Sequence, residues 1–267
     1  MKNIFFYFFL SLVLFSACKN EGGKQQVDDL TISEDSLSHL EDIVFYSGDS
    51  LIISGQFYVE AENEECILFC HQAGFNKGEY QEIATKLMHE GFNSLAIDQR
   101  SGGTITSLSI DNKNETNERA TLKKLGTTYL DAEQDIVAAV DFLYEKYGQP
   151  IILWGSSYSA SLALKVGTNN DKVKSIVAFS PGEYFKGAGL ILKNEIKDLN
   201  KRTFVTSSNE EAAALTALVS DLPQGKVVQF IPTEKGKHGS KALWEDHENN
   251  SEYWTAVMDF LKISNEK

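Results

Sequence analysis

The sequence PIILWGSSYSASLALKVG, residues 150–167, carries the pattern that decides the fold. It opens with four large apolar residues, 151–154, a run that is typical of a strand buried on both faces. It closes with residues 161–166, which are rich in small and helix-favouring side chains. Between the two lies the short turn GSSYS, residues 155–159. The pattern therefore predicts a buried strand, a tight turn and a helix in direct succession.

Ser157 is the candidate nucleophile of this turn. A Gly-x-Ser-x-Gly-like motif between a strand and a helix forms a nucleophile elbow, where only small residues fit around the central serine. Gly155 is one such residue, and Ser159 stands where a second glycine is more usual. Ser156 is excluded because the bulky Trp154 would then take the place of the first glycine. The alternative is an ordinary serine-rich turn, so other members of a catalytic group must decide.

The N-terminal residues resemble an export signal. Lys2 provides a basic start, and residues 4–15 form a nearly unbroken apolar run, about half the length that spans a bilayer. The run ends in LFSAC, which resembles a bacterial lipobox and implies a signal peptide over residues 1–17 with lipidation of Cys18. The alternative is a plain secretory signal with an incidental cysteine. We expect an exported lipoprotein, anchored to a bacterial membrane and facing the periplasm or the cell exterior.

The charge of the chain limits its partners. The formal net charge is −13, so the protein has no electrostatic footprint for nucleic acid and would be repelled by anionic lipid surfaces. Membrane contact is therefore expected through the N-terminal lipid only. Residues 18–41 are polar and predict a flexible tether. Residues 42–267 suit one α/β domain with a single core, and we expect a monomer.

Cys66 and Cys70 are predicted to be small buried hydrophobic residues. Four positions along a strand separate their Cα atoms by about 13 Å. A disulfide requires a Cα separation below about 7 Å. The pair cannot form a disulfide, and we expect no metal site.

Apolar runs alternate with helical stripes along the rest of the chain, which predicts a mostly parallel sheet with helices on both faces. The polar segment 101–128 breaks this alternation and is expected either beside an active-site crevice or as a solvated loop. The predicted strands are 43–46, 51–59, 66–70, 92–97, 151–154, 174–179, 203–207 and 226–231. The predicted helices are 79–90, 129–147, the helix after the elbow, 184–199, 210–219 and 241–263.

This pattern resembles the α/β-hydrolase fold over about residues 43–263, and within it the dienelactone-hydrolase-like and small-esterase branch. The resemblance implies an eight-stranded type of sheet, no large cap domain, and the chain order nucleophile, acid, histidine. The acid is expected after the seventh strand at Glu210, with Glu211 as the alternative. Both carboxylates could instead simply favour the start of the next helix. The base is expected at His238, in a glycine-flanked loop after the last strand.

The resemblance implies a carboxylesterase-like serine hydrolase that cleaves an ester or related acyl bond of a small molecule through an acyl-enzyme. His238 would take the proton of Ser157, and the acid would orient the imidazole ring. The oxyanion would accept hydrogen bonds from the backbone N–H of Tyr158 and from that of Ala73 or Gln72. No cofactor is expected.

Two other functions remain open at this point. The same triad could serve an amidase or a peptidase, which the sequence does not separate from an esterase. A non-catalytic surface binding protein on a hydrolase scaffold is the other alternative, and an incomplete triad would have favoured it. His71, in the loop after the third strand, is expected to be structural rather than a second base.

Overall fold

The computed structural model describes residues 40–60, 65–104 and 113–263. The predicted signal peptide 1–17, the lipidation site Cys18 and residues 18–39 of the predicted tether lie outside these residues. The first strand begins at Leu40, two residues before the predicted domain boundary at 42. No helix in the described part of the chain is long and apolar enough to cross a membrane.

Eight strands form one sheet in the order β1-β2-β4-β3-β5-β6-β7-β8. β2 is antiparallel to both of its neighbours, and the remaining pairs are parallel. This confirms the predicted mostly parallel eight-stranded sheet. The strands are β1 (Leu40–Tyr46), β2 (Ile52–Tyr58), β3 (Cys66–Cys70), β4 (Asn93–Ile97), β5 (Ile151–Ser156), β6 (Val173–Phe179), β7 (Arg202–Thr206) and β8 (Val227–Phe230).

Helices cover both faces of this sheet, because alternate residues of each central strand point to opposite sides. In β5, Leu153 joins the core under one layer of helices, whereas Trp154 joins the core under the other. Cys66 and Cys70 are both free and buried, as predicted. The helices are α1 (Gln81–His89), α2 (Glu115–Leu122), α3 (Glu133–Tyr147), α4 (Tyr158–Thr168), α5 (Leu192–Glu195), α6 (Ala212–Val219) and α7 (Asn250–Ile263).

The predicted helix 184–199 is wrong as one continuous element. The structure has only a 3-10 turn, Lys186–Ala188, followed by the single-turn helix α5. Gly189 adopts a φ of 81° and ends the first piece. The Glu183 carboxylate then accepts the backbone N–H of Leu192 at 2.8 Å, which starts α5 as a separate helix. This segment contains no large cap domain in the described residues.

One other predicted helix and one predicted loop also change. The predicted helix 241–263 divides into a 3-10 turn, Ser240–Leu243, and α7, because Trp244 adopts an extended conformation. The polar segment 101–128 is not wholly irregular: it contains α2, whose first turn is capped by the side chain of Asn114.

Candidate active site

Ser157 lies at the sharp turn between β5 and α4. Its backbone has a φ of 58° and a ψ of −123°, a conformation that costs a non-glycine residue about 1–3 kcal/mol. A Cβ atom on Gly155 would approach the carbonyl oxygen of Ser159 to 2.3 Å. The first small residue of the predicted elbow is therefore required by backbone contact, and the side chain of Ser157 is held at the end of the strand.

Ser159 replaces the second glycine of the motif and gains a specific contact from its hydroxyl. This hydroxyl donates to the carbonyl oxygen of His71 at 2.6 Å and accepts from Nε2 of Gln99 at 2.8 Å. The start of α4 is thereby bonded to the loop that follows β3. The departure from glycine connects the nucleophile turn to the expected oxyanion loop.

Ser157, His238 and Glu211 form a continuous hydrogen-bonded chain. His238 Nε2 is 2.8 Å from Ser157 Oγ, and His238 Nδ1 is 2.6 Å from Glu211 Oε1. The three residues follow β5, β8 and β7, whose carboxyl ends meet at one edge of the sheet. The structure therefore brings together the predicted nucleophile, the predicted base and one of the two candidate acids.

Glu210, the acid favoured by the sequence, does not contact His238. Its side chain is 74% exposed and its carboxylate lies 3.4 Å from Nζ of Lys235. The acid position belongs to Glu211, the alternative. The Glu211 side chain turns back to accept the backbone N–H of Ser208 at 3.2 Å and its hydroxyl at 3.0 Å. Ser208-x-x-Glu211 is a capping box, the sequence signal that distinguishes the two carboxylates.

Ser180 is a residue of the site that the sequence analysis missed. Its hydroxyl donates to Glu211 Oε2 at 2.9 Å and accepts the backbone N–H of Gly239 at 3.0 Å. Burial alone would raise the pKa of Glu211, but hydrogen bonds from His238, Ser180 and Ser208 outweigh it and lower this pKa to about 2. Glu211 is therefore ionised across the neutral range, as an orienting carboxylate must be.

The backbone conformation and close packing of residue 239 require a glycine directly after His238. The φ of Gly239 is 76°, in the left-handed region that favours glycine. A Cβ atom there would lie 2.7 Å from both Gln72 Oε1 and Ser156 Oγ. The loop that carries His238 can pack against the nucleophile turn only without a side chain at this position.

The backbone N–H groups that are expected to bind the oxyanion differ in whether they are already hydrogen-bonded. Tyr158 is the first residue of α4, so its N–H has no partner within the helix. The N–H of Gln72 already donates to Glu79 Oε2 at 2.6 Å. The N–H of Ala73 is the other expected donor of this loop. Cys70 pairs with Gly155, so the loop after β3 and the nucleophile turn emerge side by side.

His71 fixes the peptide unit that carries the N–H of Ala73. Its Nδ1 lies 2.9 Å from the carbonyl oxygen of Gln72, and its Nε2 accepts the backbone N–H of Gln99. Burial lowers the pKa of His71 to about 4, so the ring is neutral at pH 7. Because C=O and N–H point in opposite directions across a trans peptide, this bond directs the N–H of Ala73 away from His71. The structural role expected for His71 agrees with these contacts.

A groove of about 660 Å³ opens beside Glu211 and offers room for a substrate group. Leu215 and Leu218 contribute apolar surface to it, and Tyr184 stands at its edge. Burial raises the pKa of Tyr184, and its hydroxyl donates to the carbonyl oxygen of Ser180 at 2.8 Å. A larger groove of about 760 Å³, beside α3, contains none of the triad residues.

The sheet order and the strand–serine–helix turn define the protein as an α/β-hydrolase. Residues 61–217, more than half of the chain, match the serine aminopeptidase S33 family, and the chain belongs to this family. No curated protein matches the chain.

Solved structures with the same fold share little sequence with this chain. An esterase from Pyrococcus furiosus has 17% identity and a TM-score of 0.64, over 86% of this chain and 95% of the esterase. A Pyrococcus horikoshii acylaminoacyl peptidase has 16% identity and a TM-score of 0.63, over 84% of this chain but 41% of the peptidase. A putative dienelactone hydrolase from Klebsiella pneumoniae has 13% identity and a TM-score of 0.62, over 85% and 99%. At these identities the likeness establishes the fold alone.

Proposed function

We propose that the protein is a serine hydrolase that cleaves an ester or a related acyl bond with Ser157, His238 and Glu211. One observation carries the proposal: the hydrogen-bonded chain from the strained serine through both nitrogens of the histidine to an ionised carboxylate. A hydroxyl becomes a competent nucleophile when a histidine takes its proton and a carboxylate orients that histidine.

The reaction follows from these contacts. Ser157 Oγ attacks the acyl carbon while its proton passes to Nε2 of His238, and Glu211 stabilises the resulting imidazolium. The negative charge on the carbonyl oxygen is stabilised by the N–H groups of Tyr158 and Ala73. His238 then returns the proton to the leaving group, and an acyl-Ser157 ester forms. Water, activated by the same histidine, hydrolyses this ester and restores the serine.

An amidase or peptidase is the second candidate. The family takes its description from serine aminopeptidases, which favours peptide-bond substrates. The esterase and the dienelactone hydrolase of similar fold favour esters. The non-catalytic alternative is the weakest, because strain at Ser157 and a complete triad serve no purpose in a binding protein. We also propose that Cys18 carries a lipid anchor, on the lipobox-like sequence LFSAC.

Turnover of a panel of p-nitrophenyl esters and aminoacyl p-nitroanilides tests the proposed function. We expect hydrolysis by the wild-type protein and a loss of at least about 10⁴-fold in kcat for Ser157→Ala and for His238→Ala. The matched controls are Ser251→Ala and His89→Ala, because both residues are exposed and stand outside the triad. Retained turnover in either triad variant would contradict the assignment, and the preferred substrate series distinguishes ester from amide specificity.

A further inference from the structure

Glu79 is a buried carboxyl group behind the active site, and the triad does not use it. It lies in the 3-10 turn Lys77–Tyr80 and its exposed fraction is 0%. Its backbone is fixed at both ends, since its N–H donates to Asn76 and its carbonyl oxygen accepts the indole N–H of Trp244 at 2.9 Å. Among the described residues, none hydrogen-bonds to one oxygen of its carboxyl group, Oε1. A structural role alone does not account for a buried acid with a free oxygen.

The other carboxyl oxygen holds the oxyanion loop. Glu79 Oε2 accepts the backbone N–H of Gln72 at 2.6 Å. The carbonyl of the same residue is bonded to the ring of His71 and to the N–H of Phe75, at 3.2 Å. Gln72 is thus held on both sides, and its carbonyl shares a peptide plane with the N–H of Ala73. The hydrogen bond from Gln72 to Glu79 therefore fixes the position of the Ala73 N–H, the proposed oxyanion donor.

Glu79 also adjoins the nucleophile and histidine loops. The Ser156 side chain is close enough to the Glu79 carboxyl to lower its pKa, and Ser156 directly precedes Ser157. Its oxygen accepts the backbone N–H of Ser240 at 2.9 Å, two residues after His238. The segments that supply the nucleophile, the base and the loop donor therefore meet around one buried carboxyl group.

We propose that Glu79 is a positioning residue for the hydrolysis proposed above, and that its ionised form holds the loop donor Ala73 in place. The ionised carboxylate accepts the N–H of Gln72 as a charge-assisted hydrogen bond, which is stronger than a neutral one. Its negative charge also stabilises the imidazolium that forms on His238 during attack. This role rests on the proposed function, because it acts through the oxyanion hole and the triad.

Burial, partly opposed by the groups around it, places the ionisation of Glu79 in the neutral range. Burial raises the pKa of Glu79 to about 7, although hydrogen bonds from Gln72 and Ser156 and the positive charges of Lys241 and His238 lower it. Tyr80, the next residue, faces the same carboxyl, and the pKa of its phenol is raised by burial, so it stays neutral. Full activity then requires an ionised Glu79 in addition to a His238 that can accept the proton of Ser157.

The pH dependence of kcat/KM tests this role. For the wild-type protein we expect the acidic limb to be steeper than one proton per pH unit close to the pKa of Glu79. Glu79→Gln keeps an acceptor for Gln72 but removes the ionisation, so we expect a one-proton slope. At pH 8 we expect a roughly tenfold lower kcat with little change in KM, since a neutral acceptor forms the weaker hydrogen bond. A residue with a purely structural role would leave the slope unchanged.

Two further variants sharpen the test. Glu82→Gln is the matched control, because its exposed carboxylate also accepts a backbone N–H, that of Glu245 at 3.1 Å. We expect this control to keep wild-type rates and slope. Glu79→Asp keeps the charge with a shorter reach, so a lower kcat with an acidic limb as steep as that of the wild type is expected even if Glu79→Gln does not fold.

The outcomes separate the two proposals. A wild-type protein that hydrolyses esters with a one-proton limb, or a Glu79→Gln variant with the wild-type rate and slope, would overturn the role of Glu79 alone. A folded wild-type protein with no turnover and no fluorophosphonate adduct on Ser157 would overturn the proposed function, and the role of Glu79 with it.

Discussion

Two carboxylates lie on either side of the active site in opposite electrostatic environments. Glu211 is half-buried and accepts hydrogen bonds from His238, Ser180 and Ser208, and its pKa is lowered to about 2. Glu79 is fully buried, one of its carboxyl oxygens accepts no hydrogen bond from the described residues, and its pKa is raised to about 7. Burial opposes ionisation at both positions. The number of donors and the remaining access to water decide which way each pKa moves.

This difference in pKa gives the two carboxyl groups different roles. A carboxylate that is ionised at every physiological pH can orient His238 permanently, which is what the acid of a triad requires. A carboxyl group with a pKa of about 7 changes its charge within the working range and so makes the site sensitive to pH. The variants below separate these roles, beginning with the largest expected effect.

Glu211→Gln should have the larger effect on catalysis. The amide has the shape of the carboxylate but cannot stabilise an imidazolium, and it can hold His238 in the wrong tautomer. We expect kcat for ester hydrolysis to fall by about 10³–10⁴-fold at pH 8 with the protein still folded. Steady-state kinetics together with circular dichroism measure both properties.

Glu210→Gln is the matched control, one residue away and with the smallest expected effect. Its carboxylate is exposed and only contacts Lys235, and pairs of this kind contribute little. We expect rates within about twofold of wild type, the size of effect that a few tenths of a kcal/mol produce. A large loss in Glu210→Gln with a small one in Glu211→Gln would reverse the assignment of the acid.

Glu79 and Glu211 should make the stability of the wild-type protein depend on pH in opposite directions. Glu79→Gln removes the contribution of Glu79 to this pH dependence. A carboxyl whose pKa is raised on folding contributes its full stability below the unfolded pKa, about 4.3, and loses it as the pH rises through about 7. The wild-type protein should therefore lose about 3 kcal/mol relative to Glu79→Gln between pH 4 and pH 8. The stabilising contribution of Glu211, whose pKa is lowered, is instead lost as the pH falls toward 2.

Urea unfolding of the wild-type and Glu79→Gln proteins at several pH values measures this difference. Parallel curves for the two proteins across this range would show that folding does not raise the pKa of Glu79. The contrast between the two carboxylates would then be wrong, because the pKa of Glu79 would not be raised.

The turn that carries Ser157 and the loop that carries His238 could be predicted from the sequence because their requirements are local. Gly155 and Gly239 are needed where a side chain would collide with neighbouring backbone or side-chain atoms, so small residues mark both turns. The choice between Glu210 and Glu211 depended on where the helical turn after β7 begins. The spacing of Ser208 and Glu211 held that information, but chain order alone favoured the wrong neighbour.

The contacts that support the triad could not be predicted in this way. Ser180 and Glu211 are 31 positions apart in the sequence. In the sequence alone, Ser180 looks like any serine at the end of a strand. Glu79 looks like an ordinary acid in the first turn of a helix, and only the packing of three loops around it shows that it is buried. The same packing engages the N–H of Gln72, one of the two expected loop donors.

The central claim is that Ser157 is activated by His238 and Glu211, and fluorophosphonate labelling with peptide mapping tests it most directly. We expect one covalent adduct on Ser157 in the wild-type protein, none in His238→Ala, slowed labelling in Glu211→Gln and wild-type labelling in Glu210→Gln. An adduct that forms at the same rate without His238, or a folded wild-type protein that forms none, would contradict the account.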